Sequence, residues 1–153
     1  MAIRVWAVLV LTLACSGRDR LDPESAADRP RQSNTPERPL WVPQTLAASF
    51  VSRDTAMLRA LLHPDLVVQP PAPDSARQGA DAIDYLLELA AQTSVSESRL
   101  YSHMSVPEGP FVYEQGVWLM RSGTRALRAP YSLRWRAAGR GWQVVLWRWG
   151  AFR

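Results

Sequence analysis

Four side chains in this sequence could move a proton or hold one in place: Glu114, Tyr131, His63 and His103. Glu114 sits inside an apolar stretch, Phe111 to Met120. If it turns inward, it is the best acid–base candidate in the chain. Tyr131 could donate a hydrogen bond to a developing negative charge. His63 could act as a general base, but its place just before Pro64 also suits a cation at a helix C-terminus. His103 lies in an ordinary strand context. No serine or cysteine accompanies a base in a nucleophilic arrangement, and there is no phosphate-binding glycine loop. The two histidines lack an acidic cluster, so no metal site and no cofactor are expected.

These residues need elements to position them, and hydrophobic periodicity supplies candidates. Pro43 suits the first turn of a helix that carries Leu46, Ala47, Phe50 and Val51 on one side. Asp54 reads as the N-cap of a second helix, with Met57, Leu58, Leu61 and Leu62 inward and Pro64 as its end. Asp65 to Gln69 is a short strand candidate, followed by a proline-rich loop to Gly79. A third helix carries Ala80, Ile83, Leu86, Leu87, Leu89 and Ala90. Four strands then follow, over 95–106, 111–120, 125–137 and 142–149, with turns at Gly109-Pro110, Ser122-Gly123 and 139–141. Helices first and a long meander later imply an α+β fold.

The chain has 153 residues and a single cysteine, Cys15, so no intrachain disulfide is possible. Cys15 follows a charged start, the apolar run Val5 to Leu13, and Ala14. That run is shorter than the roughly twenty residues a membrane-spanning helix needs and has the length of a signal-peptide core. The segment resembles the lipobox of bacterial lipoproteins, in its degenerate form because Leu13 stands where a small residue is usual. The resemblance implies a lipidated Cys15 anchored in the membrane. Ser16 in the following position implies the outer membrane, facing the periplasm. An ordinary cleaved signal with an incidental cysteine is the alternative. Residues 16–39 are rich in proline and in charges of both signs, and read as a disordered tether. The expected organisation is therefore a signal over 1–15, the tether over 16–39 and one domain over 40–153.

The net charge is +4, every basic side chain is arginine, and no acidic residue follows Glu114. A basic face could attract anions. Alternation along the strands instead places Arg134, Arg136 and Arg148 on a wet face opposite an apolar one, and no nucleic-acid partner is expected.

The order of elements, with Phe50-Val51-Ser52-Arg53-Asp54, Leu61-Leu62-His63-Pro64-Asp65-Leu66-Val67, Gly79-Ala80-Asp81-Ala82-Ile83, Tyr131-Ser132-Leu133-Arg134-Trp135-Arg136 and Gly141-Trp142, resembles SnoaL-like and ketosteroid-isomerase-like domains of the nuclear transport factor 2-like superfamily. The resemblance implies a curved antiparallel sheet closed into a cone by three N-terminal helices. It also implies an inward set of Ala129, Tyr131, Leu133, Trp135, Val145, Trp147 and Trp149. Such a wall suits a flat apolar ligand, or simply fills the cone. The proton-moving aspartate of ketosteroid isomerases is matched by Pro70, the oxyanion-stabilising acid by Tyr131 and the helix tyrosine by Leu46, so isomerase chemistry does not carry over. The expectation is a membrane-tethered domain that binds a small apolar ligand or a protein partner without catalysis. An enzyme using Tyr131, Glu114 or His63 on a small hydrophobic molecule is the second expectation. A structural module that forms a homodimer is the third.

Overall fold

The structure is a computed structural model and describes residues 38–139 and 141–153. The signal, Cys15 and all of the tether up to residue 37 lie outside the described residues. Helices α1 (Trp41–Ser52), α2 (Thr55–Ala60) and α3 (Ala80–Gln92) pack on one sheet. Its strands are β1 (Leu62–Gln69), β2 (Arg77–Gln78), β3 (Glu97–Glu108), β4 (Phe111–Ser122), β5 (Arg125–Ala138) and β6 (Gly141–Trp149). The sheet order is β2-β1-β6-β5-β4-β3. All neighbours are antiparallel except β1 and β6, which run parallel. The fold is α+β, with a curved sheet closed by the helices near the amino end.

Local chemistry explains the helix boundaries. The Asp54 carboxylate accepts a hydrogen bond from the Met57 backbone N–H at 2.8 Å, capping α2. Arg53, in the left-handed region with φ of 54°, separates α1 from α2. Helix α2 stops at Ala60, earlier than predicted, because the next residues join the sheet: Val144 donates its backbone N–H to the Leu61 carbonyl at 2.8 Å. His63 therefore lies in β1, not at a helix C-terminus, and Met57 is exposed. The loop before α3 contains the short strand β2, which pairs with Val67 and Val68.

An aromatic cluster packs densely within the core. Phe50, Trp118, Trp147, Trp149 and Phe152 meet with ring centroids 5.0–6.0 Å apart, mostly edge to face. Each such pair adds about 0.5–1.5 kcal/mol beyond its area burial. The Trp118 Nε1–H donates to the buried Ser98 hydroxyl at 2.9 Å.

Candidate functional site

Alternation along β4 sends Val112, Glu114, Trp118 and Met120 inward, and all four are buried. Glu114 is the polar member of this apolar row and is completely inaccessible. Directly opposite it on β5 stands Leu133. The diagonal neighbours on that strand are Tyr131 and Trp135, and diagonal positions lie within reach of long and aromatic side chains. Tyr131 Oη donates to Glu114 Oε1 at 2.8 Å, and Trp135 Nε1 donates to Oε2 at 2.8 Å. One carboxylate is thus gripped from both sides by neutral donors two residues apart on either side of Leu133.

Its counter-charge comes from outside the sheet. Arg38 Nη2 lies 2.8 Å from Glu114 Oε2, and the guanidinium carbon stands 5.1 Å above the centre of the Trp135 ring. Arg38 is 7% exposed, so this residue, placed by sequence in the tether, belongs to the domain interior. Its run of charged and proline neighbours hid it, because a long-range ion pair leaves no local pattern. Burial lowers the Arg38 pKa from its usual value, while Glu114 and Tyr131 oppose that shift. Burial likewise holds the Tyr131 phenol far above the ordinary tyrosine range, with the Glu114 charge and hydrogen bond adding to it; Arg38 and the Ser102 hydroxyl act weakly the other way. Tyr131 is thus held as a hydrogen-bond donor to Glu114. All of the carboxylate's partners are donors, so both of its oxygens are engaged as acceptors.

A cavity of about 660 Å³ adjoins this cluster. Arg38 and Leu40 line it from the chain before α1, Pro43 and Gln44 from the first turn of α1, and Leu100, Tyr101, Ser102 and His103 from β3. Glu114, Val117 and Leu119 from β4 and Arg128 from β5 complete it. The Gln44 amide fixes the helix to β3 by donating to the Leu100 carbonyl at 2.7 Å. Two features of the strands shape this region. At β3 the register slips between Ser102 and Met104, so His103 is an extra, bulged residue, and the bulge aims it at the cavity. At Gly116 a Cβ would stand 1.9 Å from the Tyr101 carbonyl oxygen and 2.9 Å from the Tyr131 ring, so only glycine permits this approach.

The cavity's lining includes none of Tyr131, Leu133, Trp135, Val145, Trp147 and Trp149. Leu133, Trp135 and Trp147 are fully buried side chains that fill the domain rather than bound this open space. Tyr131 and Trp149 line a smaller recess of about 290 Å³ with Pro130, Ser132 and Arg148. Val145 is only half-buried, and Val144 takes the inward place. The cause is a bulge: Arg134 pairs with Leu146 and Trp135 with Val144, which leaves Val145 as the extra residue and flips the alternation. Of the acid–base candidates, Glu114 and Tyr131 come together. His63 does not join them; its Nδ1 accepts the Asp65 backbone N–H at 3.1 Å. Among the described residues no three His, Cys, Asp or Glu side chains are grouped to hold a metal ion. No helix among them is long and apolar enough to cross a membrane.

No protein-family model and no curated protein matches this sequence. Solved structures do match. A protein of unknown function from Pseudomonas putida KT2440, described as NTF2-like, superposes with a TM-score of 0.58 at 15% identity, over 72% of this chain and 81% of that one. An NTF2-like protein from Cytophaga hutchinsonii gives 0.56 at 14% identity, over 72% and 92%. The fold is nuclear transport factor 2-like. A protein from Catenulispora acidiphila with a ketosteroid isomerase-like fold, solved with trimethylamine, gives 0.51 at 14% identity, over 75% and 85%. At these identities the likeness establishes the nuclear transport factor 2-like architecture and no shared chemistry.

Proposed function

We propose that this chain is an envelope lipoprotein, lipidated at Cys15 and tethered to the outer membrane over residues 16–39, whose nuclear transport factor 2-like domain binds a small apolar ligand without turning it over. The supporting observation is the pairing of a roomy cavity with an occupied carboxylate. Leu40, Pro43, Leu100, Val117 and Leu119 offer apolar wall in a volume of about 660 Å³. Beside it Glu114, the one buried acid among the described residues, is engaged by Arg38, Tyr131 and Trp135. Binding sites of this size are mostly apolar with a few placed polar groups. A proton-transfer site needs a group free to change its protonation state.

Titration with the neutral fluorophore N-phenylnaphthylamine tests the binding reading. Saturable binding is expected, weakened about tenfold or more by Leu119→Trp, which fills the cavity. Binding that ignores both Leu119→Trp and Val117→Trp would remove the cavity from the account. Cys15→Ser tests the anchor: the protein should leave the membrane fraction, and retention there would reject lipidation.

A second reading has its own observation. Tyr101, Met104 and Val106, all on the edge strand β3, are large apolar side chains left exposed. A second copy of the chain would cover them. Sedimentation velocity of the wild type and of Tyr101→Glu decides this, since a dimer interface there would be lost in the variant.

A further inference from the structure

We propose that Glu114, Tyr131 and Trp135 form a receptor for a cationic group, a guanidinium or alkylammonium on an apolar body, and that Arg38 fills this receptor in cis. The inference rests on the cavity-binding reading and names its ligand class. It begins with a charge imbalance in the sheet. The partners that β5 gives the Glu114 carboxylate, the Tyr131 hydroxyl and the Trp135 indole, are both neutral. Between them they orient an anion that is wholly inaccessible and leave its charge uncompensated. A cation must complete the arrangement, and an aromatic face already waits beside the carboxylate. Charge pairing and an indole face together are how cations are commonly recognised.

Arg38 supplies the cation, but incompletely. Its Nη2 pairs with Glu114 while its Nε and Nη1, both buried, find no hydrogen-bond partner among the described residues. Buried guanidinium nitrogens are normally satisfied, and each orphan weakens the hold of its residue. Arg38 also arrives from the chain preceding α1 rather than from the sheet that builds the receptor. An occupant with unsatisfied donors on a separate segment can be displaced by a better one. The cavity gives a competitor somewhere to lodge its remainder: it adjoins Arg38 and Glu114 and continues along Leu40, Pro43, Leu100 and Leu119. Arg128, exposed on another wall, disfavours a second positive charge on that remainder.

The test is chemical replacement of Arg38, read by thermal unfolding of the purified protein. Arg38→Ala is titrated with butylguanidinium and, as the neutral equal, butanol. The midpoint should rise saturably with butylguanidinium, with half-saturation at least about tenfold below that of butanol, the worth of a charge-assisted hydrogen bond. The wild type should respond at least about tenfold more weakly, because Arg38 competes. Arg38→Ala/Glu114→Gln should lose the preference for the cation. Arg38→Met, which keeps an apolar stem over Trp135, repeats the series. If either variant is unfolded in buffer, return of the Trp135 indole NMR signal on adding butylguanidinium is the same positive result, and failure to return counts against the proposal. Equal action of butylguanidinium and butanol, or an unchanged response after Glu114→Gln, overturns it. If N-phenylnaphthylamine still binds in that case, the cavity reading stands and only the cation receptor falls.

Discussion

Two adjoining parts of this core, an aromatic end and a polar end, solve burial in opposite ways. They share the sheet: Trp147 and Trp149 of the first pair with Leu133 and Tyr131 of the second. At one end Phe50, Trp118, Trp147, Trp149 and Phe152 fill space with rings, with the Trp118 indole N–H given to Ser98 and the Trp147 indole N–H buried without a partner among the described residues. At the other, a single carboxylate is held by three donors, one of them a guanidinium with nitrogens unpaired among the described residues, beside an open cavity. The aromatic end has most of its volume filled by rings and keeps only the small recess beside Trp149. The polar end is specified by charge and leaves volume over. A fold that could carry a pocket anywhere along its concave wall has closed one part with indoles and kept open the part where a charge is stored.

Truncation at the aromatic end should have the largest effect. Trp118→Ala removes a completely buried indole that touches Phe50, Trp147, Trp149 and Phe152, and should cost about 3–5 kcal/mol in urea unfolding. A loss below about 1 kcal/mol would mean that this end is loosely packed and the contrast is false. At the polar end, Glu114→Leu should cost about 3–5 kcal/mol as well, since it strands Arg38 as a buried unpaired charge. Here the ends part company. Adding Arg38→Met should return at least about 1 kcal/mol of that loss, because replacing both members of a buried pair is far milder than breaking it. No second substitution at the aromatic end should restore Trp118→Ala in this way.

The same contrast decides what could be read from the sequence. Period-two alternation is a property of neighbouring residues, so the inward places of Trp135, Trp147 and Trp149 were legible, whereas the facing of Glu114 stayed open in the sequence and is settled only by its buried place on β4. A bulge inserts one residue without any compositional mark. Val145 was therefore assigned the inward place that Val144 occupies, and the cavity-facing His103 was read as unremarkable. Arg38 was beyond reach for another reason. It pairs with a residue far away in the chain, and nothing near it distinguishes it from Arg29 or Arg31. Helix α3 was legible from its stripe and Gly79, whereas the end of α2 was set by the Leu61–Val144 pairing, a tertiary event.

Tyr131 offers a subtler probe of the polar end. Tyr131→Phe removes one donor from Glu114 and should cost about 1–3 kcal/mol near neutral pH. Its pH dependence has a definite sign. The folded phenol titrates above its unfolded value, which is about 10. Its contribution is fully present below about pH 10 and is lost as pH rises toward the folded value, because the unfolded chain ionises first. Wild-type stability should therefore fall more steeply than that of Tyr131→Phe above about pH 10, measured by urea midpoints on the alkaline limb. Parallel limbs would show that the phenol is not held by burial and Glu114.

The smallest effect belongs to an exposed pair whose distance and aromatic neighbour are similar to those of the buried one. Arg134 Nη2 stands 2.6 Å from Glu108 Oε2, closer than Arg38 to Glu114, and the guanidinium lies 5.3 Å from the Phe111 ring centre, much as Arg38 lies over Trp135. Both side chains of this pair are more than 40% exposed, against 3% and 0% for the buried one. Water screens the exposed charges and solvates either one when its partner is removed. Glu108→Ala should therefore cost less than about 1 kcal/mol, and added salt should erase most of that. If distance governed the worth of an ion pair, the shorter one would matter more. If Glu108→Ala proved as costly as Glu114→Leu, burial would not be what sets Arg38 and Glu114 apart, and the polar end would lose its claim to be a special site.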